Sequence, residues 1–265
     1  MRLKVSHATR YRFDHPVSYG LQQLRKTPRA SDAQTVLAWT TSVTGGKKEL
    51  SFDDHHGNRV ELISFERDVS EVVVASEGEV ELRDTNGVVG RHAGPAPLWL
   101  YARATRRTQA GAGVKALVQA VEGDGALARM HHLMGTVLDA VRYEVGASDP
   151  GWGAEAALGA GRGVCQDHAH VFIACAREMG VPARYVSGYL MLDGRIQQEA
   201  MHAWAEAHVE GLGWVGFDVA NGICPDDRYV RVATGLDYAD AAPVIGTRIG
   251  GQGEALDIQI QVSQQ

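Results

Sequence analysis

Gly161-Arg162-Gly163-Val164-Cys165-Gln166-Asp167-His168-Ala169-His170 is the stretch on which the fold turns. Two glycines lead into an apolar-periodic segment that runs from near Cys165 to Gly180, with Pro182 just beyond. That is a helix with a glycine stop. The thiol therefore stands at a helix start. Unpaired N–H groups and partial positive charge at such a terminus favour thiolate over thiol. The same N–H groups stabilise an oxyanion forming on an attacked carbonyl, and the glycines let a substrate approach the backbone. Arg162 adds positive charge, which Asp167 opposes while favouring the helix. The core stripe of this helix is Phe172, Cys175, Ala176 and Met179, so Cys175 reads as core packing. Cys224, beside Pro225 in a polar loop, reads as a bystander.

A thiolate nucleophile needs a base and a group to orient that base. His168 and His170 share the cysteine's helix but read as structural histidines. Downstream, Met201-His202-Ala203-Trp204-Ala205-Glu206-Ala207-His208 alternates as a strand, with His202, Trp204, Glu206 and His208 on one face. Glu210-Gly211-Leu212-Gly213 turns the chain into Trp214-Val215-Gly216-Phe217-Asp218. A turn centred on Gly211 sets Asp218 opposite Trp204 and diagonal to His202 on the same face. A slip of one residue would separate them. Cys165, His202 and Asp218 are thus the candidate catalytic residues. Trp204 and Trp214 are candidate substrate-binding walls, or equally large core aromatics.

Outward from this centre the chain divides. Residues 1–105 read as strands: Leu3 to Phe13 alternate with charged and polar neighbours, and Val36–Val43, Arg59–Phe65 and Glu71–Leu82 follow. The expectation is a small β-sandwich domain. After Pro95-Ala96-Pro97 the period turns helical: short helices over Leu98–Ala104 and Lys115–Val121, and a longer one to about Tyr143. A Gly/Pro-rich loop, Gly146 to Gly153, precedes the cysteine helix. Strands return at Arg184–Leu192, Ala200–Val209, Trp214–Val219 and Leu256–Val262. Residues 106–265 are read as one α+β catalytic domain.

Composition bounds the function. The 265 residues carry a net charge of −6, with residues 1–105 near neutral and residues 106–265 accounting for the acidity, which argues against a nucleic-acid binder. No apolar run is long enough for a membrane helix. The opening Met-Arg-Leu-Lys-Val-Ser-His is unlike a signal peptide, and three cysteines do not make a disulfide framework, so the expected setting is cytoplasmic. Adjacent His55-His56 and His131-His132 pairs, with no HExxH or paired CxxC spacing, give no metal site, and no cofactor is expected.

The segments GRGVCQDHAH, GVPARYVSGYL and MHAWAEAHVEGLGWVGFDVANG together resemble the core of the bacterial transglutaminase-like superfamily. The beginning of the chain is similar to the β-rich N-terminal region that accompanies this core in bacteria, and the tail has the family's character. The resemblance implies a papain-like fold behind a small β-sandwich domain. It also implies a nucleophile at Cys165, a base at His202 and an orienting carboxylate at Asp218. The chain departs from the family's pattern at Val219-Ala220, where proline and threonine are usual, and at His168, where an aromatic is common. The activity implied is thiol-dependent acyl transfer on peptide or protein amides. Hydrolysis by a cysteine protease or amidase is favoured. Transamidation of glutamine with an amine acceptor, and non-catalytic peptide binding, are the alternatives.

Overall fold

The computed structural model describes residues 1–149, 151–192, 194, 196–251 and 253–265; Pro150, in the expected Gly146–Gly153 loop, lies outside the described residues. In chain order the elements are β1 (Arg2–Thr27), β2 (Gln34–Thr44), β3 (Gly46–Asp53), β4 (Arg59–Phe65), β5 (Val69–Leu82) and β6 (Val88–Gly90). Then come a 3₁₀ turn (Leu98–Ala102), α1 (Ala112–Gln119), α2 (Ala126–Ala140), β7 (Arg142–Tyr143), α3 (Ala154–Ala160), β8 (Arg162–Gly163) and α4 (Cys165–Glu178). The last part holds β9 (Ala183–Leu190), β10 (Gln197–Gln198), β11 (His202–Val209), β12 (Gly213–Phe217), β13 (Tyr229–Gly235), α5 (Tyr238–Ala241), β14 (Val244–Gly250) and β15 (Glu254–Gln264). The protein is strand-rich with few helices.

The first strand runs on to Thr27, well past its clean alternation, because its two halves serve different neighbours. Arg2–Arg12 lies between β5 and β15, whereas Val17–Thr27 lies between β14 and β4. One sheet therefore bends over on itself. Tyr11, Phe13, Val72 and Val74 from one half pack on Leu24 and Ile63 from the other, and these side chains form the core between them. The tail, expected with the catalytic half, instead returns to this sheet: β14 and β15 both pair with β1. Leu256, Ile258, Ile260 and Val262 do alternate, but only Ile260 and Val262 are buried.

A second, five-stranded antiparallel sheet runs β13-β9-β11-β12-β6. Helix α4 packs against it: Ala203, Ala205 and Ala207 of β11 join Val171, Phe172, Ile173 and Cys175 of α4 in the main core. Small alanines let the helix lie close to the strand. The opposite face of β11, with Trp204 and Glu206, looks toward the N-terminal strands. No helix among the described residues is long and apolar enough to cross a membrane.

Candidate active site

Cys165 is the first residue of α4, and Val164, extended at φ −113° and ψ −176°, caps it. The helix start is braced locally. The Val164 N–H donates to Asp167 Oδ2 at 2.8 Å, so the buried Asp167 carboxylate sits at the positive helix end. Gly163 is required here for space, since a Cβ on it would stand 2.7 Å from the Asp167 side chain. Behind it, β8 pairs in parallel with β7, and the Glu144 N–H donates to the Gly163 carbonyl at 2.8 Å. Cys165 is partly exposed and is a free thiol, as are Cys175 and Cys224. Cys175 is buried in the core, where burial pushes its thiol up to about 12.

His202 opens β11. The hairpin pairs Glu206 with Gly216 and Ala205 with Phe217, a register centred on Gly211 that continues to set Asp218 opposite Trp204. Across that diagonal the His202 Nε2–H donates to Asp218 Oδ2 at 2.6 Å. With Nε2 so engaged, Nδ1 is the nitrogen left for the thiol. Burial alone would lower the imidazole's pKa. Hydrogen bonds and charge from Asp218 and Cys165 outweigh it and lift the pKa to about 10. For Asp218, fully buried, desolvation pushes the pKa up, but His202, Asn221 and Tyr229 together hold it below the usual carboxylate range. The structure thus brings Cys165, His202 and Asp218 into one contiguous set.

The two tryptophans are core aromatics. Trp204 is 3% exposed and stacks beside the His202 ring at 6.2 Å, supporting the imidazole from within. Trp214 is 1% exposed and lies under the Arg184 guanidinium, 3.9 Å from its ring centroid, among Tyr101 and His92. Trp204 borders a small cavity that Gln34, Leu82, Glu206, Tyr229 and Arg231 also line, while Trp214 packs with Ala96 and Tyr101 in a separate apolar cluster. His168 sets both ring nitrogens against backbone carbonyls, Val164 at 3.0 Å and Val141 at 2.7 Å, and so ties the helix start to the end of α2. His170 is fully buried and accepts from the Tyr238 N–H at 3.2 Å.

Two further residues join the set without a sequence signal strong enough to predict them. Asn221 donates from Nδ2 to Asp218 Oδ2 at 2.6 Å; its spacing from Asp218 and the following Gly222 mark a turn, which was the visible clue. The Tyr229 hydroxyl donates to the same oxygen at 2.7 Å from a separate strand, and nothing local announces it. Among the described residues, no group of three or more His, Cys, Asp or Glu is placed to hold a metal ion.

Comparison with known proteins bears on this geometry. The profile of the transglutaminase-like superfamily matches residues 115–219, and that of the bacterial transglutaminase-like N-terminal region matches residues 3–81. An uncharacterized protein of Mycobacterium leprae is 27% identical over 276 residues, spanning 99% of this chain and 98% of its own. An uncharacterized protein of Mycobacterium tuberculosis is 37% identical over 131 residues, 45% of this chain and 42% of its own length. A crystal structure of a candidate cysteine protease from Cytophaga hutchinsonii superposes with a TM-score of 0.80 at 20% identity, covering 99% of this chain and 90% of the other. At that identity the likeness is one of fold.

Proposed function

We propose that this protein, a member of the transglutaminase-like superfamily carrying the bacterial transglutaminase-like N-terminal region, is a cysteine hydrolase acting on peptide or protein amides. The core reads as papain-like and α+β, with the nucleophile on a helix and the base on the antiparallel sheet beneath it. The observation that carries the proposal is the 2.6 Å contact between His202 Nε2 and Asp218 Oδ2, made beside the helix-start Cys165.

The roles follow from the chemistry. His202 takes the thiol proton, and the Cys165 sulfur attacks the amide carbonyl carbon. The Cys165 backbone N–H, at the first helical position, faces the developing oxyanion. Collapse breaks the C–N bond as His202 passes its proton to the leaving amine. Water then adds to the thioester while His202 accepts a proton, and the acid departs as Cys165 regains its hydrogen. Asp218 holds the ring in place and stabilises its cationic form. A cytoplasmic, reducing setting suits a nucleophile that must stay a free thiol.

The test uses a thiol-directed electrophile and a peptide library. Rapid labelling at neutral pH is expected at Cys165 and lost in Cys165→Ala, with cleavage of library peptides lost in parallel. Labelling that stays on Cys175 or Cys224 after that substitution overturns the assignment. Product masses with an amine added separate water from amine as acceptor: incorporation of the amine in place of cleavage would make the protein a transamidase.

A further inference from the structure

Asp218 Oδ2 receives three donors: His202 Nε2 at 2.6 Å, Asn221 Nδ2 at 2.6 Å and the Tyr229 hydroxyl at 2.7 Å. Its other oxygen accepts the Asn221 N–H, at 3.4 Å. Asn221 lies three residues beyond Asp218 in the same turn. Tyr229 comes from β13, a strand outside the hairpin that carries His202 and Asp218. Its ring is wedged edge-on against Trp204 at 5.4 Å and tilted on His202 at 6.0 Å.

Strand β13 is an edge strand, paired on one side with β9. Its other edge is filled by two side-chain amides of the N-terminal region, one at the start of β2 and one in the turn before β4. Gln34 donates from Nε2 to the Arg231 carbonyl at 2.8 Å and accepts the Arg231 N–H on Oε1 at 2.8 Å. Asn58 does the same at Thr234, at 2.7 and 2.8 Å. Each amide copies the donor–acceptor pair of a neighbouring strand. The irregularity between Arg231 and Ala233 explains why both residues present their backbone outward although they are three apart. The two amides are themselves fixed: Gln34 also donates to the Arg29 carbonyl at 2.7 Å, and Asn58 donates from Nδ2 to Asp54 Oδ2 at 3.0 Å. Both are almost fully buried.

We propose that Tyr229 is a positioning residue for the Asp218–His202 pair, and that the N-terminal region acts in the reaction by holding β13, and so Tyr229, through Gln34 and Asn58. This rests on Cys165, His202 and Asp218 doing the chemistry. A hydrogen bond to a carboxylate stabilises its charged form. When Asp218 takes a proton the imidazolium loses its counter-charge and the thiolate–imidazolium pair collapses, so Tyr229 extends the pair's range toward acid.

The experiment is the pH dependence of Cys165 alkylation by iodoacetamide in the full chain, with the labelled peptide identified by mass and folding followed by circular dichroism. Tyr229→Phe keeps the ring and removes the donor. It is expected to move the acid limb up by about one pH unit, the effect of one hydrogen bond to a charged group. Gln34→Leu is expected to move it the same way by less. The double variant is expected to go no further than Tyr229→Phe alone. An unmoved limb in folded Tyr229→Phe overturns the role of Tyr229. A Gln34→Leu shift that adds to that of Tyr229→Phe overturns the route through β13. If the wild-type Cys165 alkylates like an ordinary thiol, with no acid limb, the triad itself is wrong and this inference falls with it.

Discussion

His202 and Asp218 are sixteen residues apart in sequence, yet a single hairpin sets the imidazole Nε2 2.6 Å from the carboxylate Oδ2. The carboxylate is fully buried and the imidazole nearly so, which makes their interaction strong and their titration abnormal.

The raised pKa of His202 ties stability to pH on the alkaline side. Its unfolded value is near 6.5 and its folded value is about 10. Its contribution is complete below about 6.5 and is lost as pH rises through about 10. Urea unfolding of the wild type should show that decline, and His202→Gln should lack it. Asp218→Asn should also lower turnover about a hundred-fold or more, as loss of the orienting charge does for a general base; turnover of Asp218→Asn equal to wild type would exclude the role given to it.

Gly163→Ala places a methyl 2.7 Å from the Asp167 carboxylate that caps the cysteine helix. Either the cap or the backbone must move, at a cost of about 1–3 kcal/mol. Thermal melts should show the loss together with slower labelling of Cys165. Gly159→Ala is the control. A Cβ there meets nothing within 4 Å, and Gly159 lies within a helix, so this change should be neutral or gain up to about 1 kcal/mol.

Lys26 is fully buried in the N-terminal sheet, and its ammonium donates to Thr9 Oγ1 at 3.1 Å. Burial pulls its pKa down to about 7. The group therefore opposes folding most strongly below about pH 7, and the cost fades as pH rises toward its unfolded value near 10.5. Lys26→Met should stabilise the protein by about 1–4 kcal/mol near pH 6. Denaturant midpoints across the pH range should show that gain shrinking with alkalinity. A gain independent of pH would mean that packing, not charge, is responsible.

Glu206 sits at the centre of a buried ionic cluster, bonded to Arg184 Nε at 2.6 Å and to Arg231 Nε at 2.7 Å. Burial raises its pKa, but the two guanidiniums outweigh that and hold it down to about 2. Its stabilisation is present above about 4.5 and is lost as pH falls through about 2. Glu206→Ala strands the buried Arg184 without a counter-charge and should cost about 3–5 kcal/mol at pH 7. The gap between wild type and variant in denaturant unfolding should narrow toward pH 2.

The hairpin of His202 and Asp218 was legible in the sequence because its register depends on short-range facts. Gly211 and Gly213 accept positive φ of 82°, so the turn has a marked position, and a period of two then assigns every face. Helix α4 was legible for similar reasons, with glycines before it and Gly180, at φ +78°, after it. Strand β13 was not. Buried on both faces and interrupted by an irregularity, it shows no alternation, and Tyr229 looks like any core tyrosine. Strand β3 was not legible for the opposite reason: it is exposed along nearly its whole length, and only Leu50 and Phe52 interrupt a polar run.

By itself the sequence determined the place of Cys165 at a helix start, the diagonal of His202 and Asp218, and the strand-rich character of the first hundred residues. Each rests on neighbours a few residues apart, where backbone geometry leaves few choices. Only the tertiary structure decided that the tail closes the N-terminal sheet, that Trp204 and Trp214 are core, and that Gln34 and Asn58 grip the strand bearing Tyr229. Those relations join residues tens to hundreds of positions apart. They are set by which buried donors find acceptors once the two sheets pack, and no local period records that.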